Sequence, residues 1–164
     1  MEEERSVSVR GFDPTLLRRG EITAAIGALI VLLGLFVVPW YGAAHQTQIA
    51  SAAPGATAPA EFGAWSGAGW LGTLGDVIIL TAALGAFAVA VAGARGIELD
   101  GSGRRLFLVS VAAVAVVLLR LAFRPTAIGS YHFDTGLRLG IFLTLVGTLV
   151  LAWGARTRLP RRRA

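Results

Sequence analysis

The chain has 164 residues, 55% of them hydrophobic and only 15% charged, against about 25% charged in an ordinary soluble domain. Four membrane spans of about 20 residues each would leave two short tails and three loops, which excludes a separate soluble domain. There is no cysteine, so disulfides, thiolate chemistry and Cys-bound zinc, haem or iron–sulfur centres are excluded.

All fifteen basic residues are arginine, a bias that fits a high-GC bacterial genome. The net charge of +5 is distributed as membrane topology would distribute it and does not point to nucleic acid.

In chain order, residues 1–20 read as an N-terminal segment. Within it, Asp13-Pro14 has the form of a helix start, and 13–21 can form a short interfacial helix with Leu16 and Leu17 toward lipid. The first span covers about 21–40 and ends at Pro39-Trp40-Tyr41, where proline stops regular helix and the two aromatics suit the headgroup layer. Its length favours a retained anchor over a cleaved signal peptide.

An outer loop, 41–70, follows. Residues 42–60 are rich in Ala, Gly, Pro, Ser and Thr and read as a flexible segment. In 61–75 the aromatics Phe62, Trp65 and Trp70 alternate with small residues. This stretch suits an interfacial helix or turn on the membrane surface, or a fold back over the mouth of the bundle. Trp40, Tyr41, Trp65 and Trp70 are the expected interfacial anchors.

The second span covers about 71–93. Ala82, Ala86 and Ala90 recur every four residues and offer a small-residue face for helix packing. Residues 95–105 carry turn chemistry in Gly96, Asp100, Gly101, Ser102 and Gly103, too short and isolated for a nucleotide-binding loop. The third span covers about 106–123 and stops at Arg124-Pro125. The fourth covers about 136–154, with Gly136 and Gly140 as a GxxxG at its start. A basic tail, 156–164, closes the chain.

Arg5, Arg10, Arg18, Arg19, Arg95, Arg104, Arg105, Arg156, Arg158, Arg161, Arg162 and Arg163 fall on one side of this arrangement. Arg120, Arg124 and Arg138 fall on the other. The positive-inside rule then predicts an all-α, four-helix integral membrane bundle with both termini cytoplasmic, in a bacterial plasma membrane.

Two charges lie within the predicted hydrocarbon. Asp76 sits near the outer end of the second span and Arg120 near the outer end of the third, so both reach a similar depth. Burying either charge costs roughly 2.5–3.5 kcal/mol on insertion scales. Pairing reduces that cost, and an Asp76–Arg120 contact is expected; the competing reading has Arg120 snorkelling to the headgroups. Arg120, Arg124 and Arg138 together make a candidate outer site for an anionic lipid headgroup or other anionic ligand. His132 with Asp134, and the distant His45, make a poor metal set. No nucleophile constellation is recognisable, so no catalytic, cofactor or metal residues are expected.

Val38-Pro39-Trp40-Tyr41, Ala64-Trp65-Ser66, Asp76 opening an Ala/Leu-rich span, Leu118-Leu119-Arg120 and Arg138-Leu139-Gly140 together resemble small four-span membrane proteins of actinobacterial type. The resemblance covers most of 22–155. It implies four-span topology and a cell-membrane location, and no activity.

The functional expectation is a non-enzymatic structural or accessory membrane protein. Its partners would be membrane lipids and another envelope protein or further copies of itself, with no nucleic acid. The alternative is a transport component for a small molecule, lipid or ion, built on the outer basic site.

Overall fold

The computed structural model describes residues 13–43, 61–65, 69–97, 99, 101–123, 127–128, 131–132 and 135–158. Four long helices dominate: α1 (Arg19–Phe36), α2 (Gly69–Ala94), α3 (Ser102–Ala122) and α4 (Leu139–Thr157). All four are long and apolar enough to cross a membrane. Their outward faces carry residues such as Ile26, Leu33, Leu74, Leu108, Leu119, Val146 and Leu149. An apolar exterior of this kind is the surface lipid demands. The chain is a multi-pass membrane protein, as a bacterial plasma membrane would hold.

Each helix packs against its sequence neighbours, and α4 closes the ring on α1; α1 and α3 stand diagonally. One end of the bundle carries Arg18, Arg19, Arg95, Arg104, Arg105, Arg156 and Arg158 and is called here the arginine-rich end. At that end α2 stops in a Schellman turn. Gly96 has φ +69°, its N–H donates to Gly93 at 2.9 Å, and the Ile97 N–H donates to Ala92 at 2.9 Å. A left-handed residue there closes the free carbonyls of the last turn, and glycine adopts it without strain.

The tightest pair is α1 with α4. Glycines recur every seven residues on both helices: Gly20, Gly27 and Gly34, and Gly140, Gly147 and Gly154. The helices run antiparallel, and the glycines meet in register. A Cβ on Gly154 would lie 2.5 Å from the Ala24 nitrogen, one on Gly27 2.5 Å from the Leu151 nitrogen, and one on Gly140 2.6 Å from the Pro39 carbonyl oxygen. In lipid no hydrophobic effect draws helices together, so close backbone approach supplies the van der Waals contact instead. The two threonines buried in this seam are satisfied within α4. Thr144 donates to the Gly140 carbonyl at 2.9 Å and Thr148 to that of Leu145 at 2.9 Å.

The opposite end is capped by strands. β1 (Tyr41–Ala43) lies between β2 (Glu61–Phe62) and β5 (Thr135–Leu137), antiparallel to both, with Tyr41 opposite Phe62 and Leu137. The Trp40 N–H donates to Phe62 at 2.9 Å, and the Arg138 N–H donates to Trp40 at 2.8 Å, extending the ladder. A two-stranded hairpin, β3 (Ala127–Ile128) with β4 (Tyr131–His132), follows α3.

Several boundaries differ from those expected. The first span ends at Phe36, and Tyr41 enters β1. The segment 61–70 is not one interfacial element: Glu61 and Phe62 form a strand, while Gly69 and Trp70 already belong to α2. Phe62 and Ala64 are buried, so this stretch folds back over the mouth of the bundle. Gly136 pairs with Gly42 in the sheet and Gly140 lies in α4, so the two do not form a GxxxG on one helix. The physical reason is common to all three. Short extended segments from two loops satisfy one another's backbone groups at the bundle end, and that pairing overrides helical continuation. Residues 13–21 also do not form one helix. Asp13 caps a single 3-10 turn, Pro14–Leu16, through the Thr15 N–H at 2.9 Å, and α1 starts afresh at Arg19.

Candidate functional site

At the sheet end, the last turn of α3 carries Arg120 into the bundle. Its Nη1 donates to the Ala64 carbonyl at 2.8 Å, and its Nη2 donates to the Gly72 carbonyl at 2.5 Å and to Asp76 Oδ2 at 3.0 Å. The guanidinium also stands 5.3 Å from the centre of the Trp40 ring, a cation–π arrangement. The side chains of Arg120 and Asp76 are 9% and 1% exposed, so this charge pair lies inside the protein. Gly75 lies beside it with no side chain; a Cβ there would come 2.7 Å from Val116.

Trp40 and Tyr41 complete the wall. Both are essentially fully buried, where headgroup anchoring was expected. The Trp40 indole N–H donates to the Gly34 carbonyl at 2.7 Å, satisfying an acceptor near the end of α1 that the chain's turn at Pro39 would otherwise strand. Burial pushes the Tyr41 phenol above its ordinary range, and the Arg120 charge partly offsets the shift. Trp65 and Trp70 remain on the surface, and Trp65 leans on Phe36 with ring centres 5.8 Å apart.

The arrangement leaves one group unsatisfied. Asp76 Oδ1 is buried with no hydrogen-bond partner among the described residues. Arg120 makes three hydrogen bonds, one to residue 64 and two to α2, while Asp76 receives one among the described residues.

Of the three outer arginines, Arg120 and Arg138 are described, and each is engaged with a different segment. Arg120 points inward to Asp76. Arg138 is exposed and lays its guanidinium against the backbone of Gly42, where a Cβ would stand 2.7 Å from Nη2. Arg124 lies outside the described residues, as do His45 and Asp134, and of His132 only the backbone in β4 is described. Among the described residues no group of three or more His, Asp or Glu side chains is placed to hold a metal ion. Ala82, Ala86 and Ala90 face the interior of the bundle and pack against the chain's own helices.

A second buried pair joins α1 and α4 at the arginine-rich end. Arg158 Nη2 lies 2.8 Å from Glu21 Oε1, and the Glu21 side chain is 3% exposed. Glu21 Oε2 accepts the Arg18 N–H at 3.0 Å, capping α1. Gly93 of α2 makes room for this carboxylate, since a Cβ there would lie 2.5 Å from Oε2. Sequence reasoning placed Glu21 at a helix start and Arg158 in a topology signal, and did not join them. The available signal was depth, because both mark the same end of two antiparallel spans. The sevenfold glycine spacing in α1 and α4 is likewise visible in the sequence.

Compared with family profiles, curated proteins and solved structures, the chain shows no match.

Proposed function

We propose that the protein is a structural or accessory component of a bacterial plasma membrane, of the small actinobacterial four-span type, with both termini cytoplasmic. It acts by lateral association with another envelope protein. The observation that carries this reading is the commitment of Arg120. Its guanidinium is spent on Ala64, Gly72 and Asp76, and the Glu21–Arg158 pair closes the other end. Charges used to tie helices together serve a scaffold better than a conduit, whose ionisable groups would face a water-filled path. The alanine face of α2 is consumed inside the bundle, so a partner would meet the apolar outer faces or the sheet end. Cytoplasmic termini are supported by the arginine count, which the positive-inside rule reads directly.

The test is native mass spectrometry of the protein released from its own membrane without harsh delipidation. A defined co-purifying protein supports the accessory reading. A bare chain, or one carrying a specific lipid or small molecule, overturns it and favours transport or lipid handling.

A further inference from the structure

Residues 61–65 cross the mouth of the bundle as a strap: β2 pairs with β1, and three contacts add to that hold. The Phe62 carbonyl accepts the Trp40 N–H at 2.9 Å, Trp65 packs on Phe36, and the Ala64 carbonyl accepts from Arg120 at 2.8 Å. Within the strap Ala64 is fully buried, facing the bundle, while Gly63 is exposed with nothing within 4 Å of its Cβ position. The third point of attachment depends on where the Arg120 guanidinium sits, and the Asp76 charge holds it inward. We propose that Asp76 and Arg120 form a proton-operated latch on the strap Glu61–Trp65.

The geometry supplies both states. With Asp76 ionised, Arg120 is neutralised by Oδ2 and bridges α2 to the strap. Oδ1, buried and without a donor among the described residues, is the position at which a proton from solution binds; a proton needs no added room. Once Asp76 is neutral, the guanidinium keeps two carbonyl acceptors but has lost its counter-charge in a low-dielectric setting, which is costly. Arg120 stands in the last turn of α3, within reach of the headgroups by snorkelling. Its departure frees the Ala64 carbonyl and loosens the strap. Among the described residues, few charged and titratable groups lie at this end. Arg120 of α3 and Tyr41 of β1 face Asp76, whereas Glu61 of β2 and Arg138 at the head of α4 are exposed. Tyr41 holds its proton above the ordinary phenol range and stays neutral in the acid range.

The latch works whether or not an envelope partner exists. The chain has no cysteine, so a single introduced thiol reports without background. In lipid nanodiscs, the rate of maleimide labelling of A64C is divided by that of G63C, which cancels the reagent's own pH dependence. The ratio is expected to rise by about tenfold or more between about pH 8 and about pH 4. In a D76N background it is expected to be high and flat. A ratio that stays flat with Asp76 present overturns the proposal, as does a pH dependence that survives D76N. Should D76N not assemble, a background carrying H45Q, E61Q, H132Q and D134N decides the matter. Retention of the rise there supports the latch, and its loss assigns the titration elsewhere and overturns it.

Discussion

Gly27 of α1 and Gly147 of α4 occupy each other's missing side-chain space. The Cβ position of Gly27 lies 2.8 Å from the Gly147 carbonyl oxygen, and that of Gly147 lies 3.0 Å from the Gly27 carbonyl oxygen. Neither position admits a methyl group unless two backbones separate. G27A and G147A are therefore expected to destabilise the bundle by about 1–3 kcal/mol each, read as the midpoint of denaturant unfolding in mild detergent. Gly85 is the control, since a Cβ there meets only Leu106 Cδ1 at 3.6 Å. G85A is expected to be neutral or slightly stabilising, because alanine is the better helix former.

The Asp76–Arg120 pair is expected to cost more when halved than when removed. R120M leaves a buried carboxylate with no cation, a loss of about 3–5 kcal/mol. The double variant D76L/R120M removes both charges and should recover most of that loss. A double-mutant cycle on detergent-solubilised protein measures the coupling; a double variant no more stable than R120M would count against internal pairing as the origin of the effect.

At the arginine-rich end, Glu21 combines two tasks that different substitutions separate. E21A loses the acceptor for the Arg18 N–H and the partner of Arg158. E21Q keeps an acceptor and loses only the charge. E21A is expected to cost about 1–3 kcal/mol and E21Q clearly less. R158A should approach the E21A value, because it leaves the Glu21 carboxylate buried. Unfolding midpoints of the three variants give the order directly.

Tyr41 predicts an alkaline limit. Burial raises the pKa of its phenol in the folded protein, so the folded state holds that proton more tightly than the unfolded state does. The stability it contributes is complete below about pH 10, the unfolded value, and is lost as pH rises through the higher folded value. Unfolding midpoints measured from neutral to strongly alkaline pH should fall above that point, and Y41F should remove the part of the fall due to this group. An unchanged alkaline profile in Y41F would show that Tyr41 does not carry it.

The four spans are legible in the chain alone, because length and apolarity are local properties and lipid accepts no other element of this composition. The chain also puts Asp76 and Arg120 at one depth, since counting residues along antiparallel helices measures distance from the same surface. What lies across from what is set by the packing of the helices. Nothing local in Tyr41–Ala43 says that these residues pair with Glu61–Phe62 and Thr135–Leu137, because that sheet exists only when the helices bring two loops to one end. The burial of Trp40 and Tyr41 follows from the sheet and from Arg120, against the ordinary preference of those residues for the headgroup layer. The sevenfold glycines were legible as a period, but their meaning required knowing that α1 and α4 are neighbours and antiparallel. The Glu21–Arg158 bridge has the same origin. Pairing between residues far apart in a chain is set by how helices pack, and that is a property of the whole bundle rather than of any segment within it.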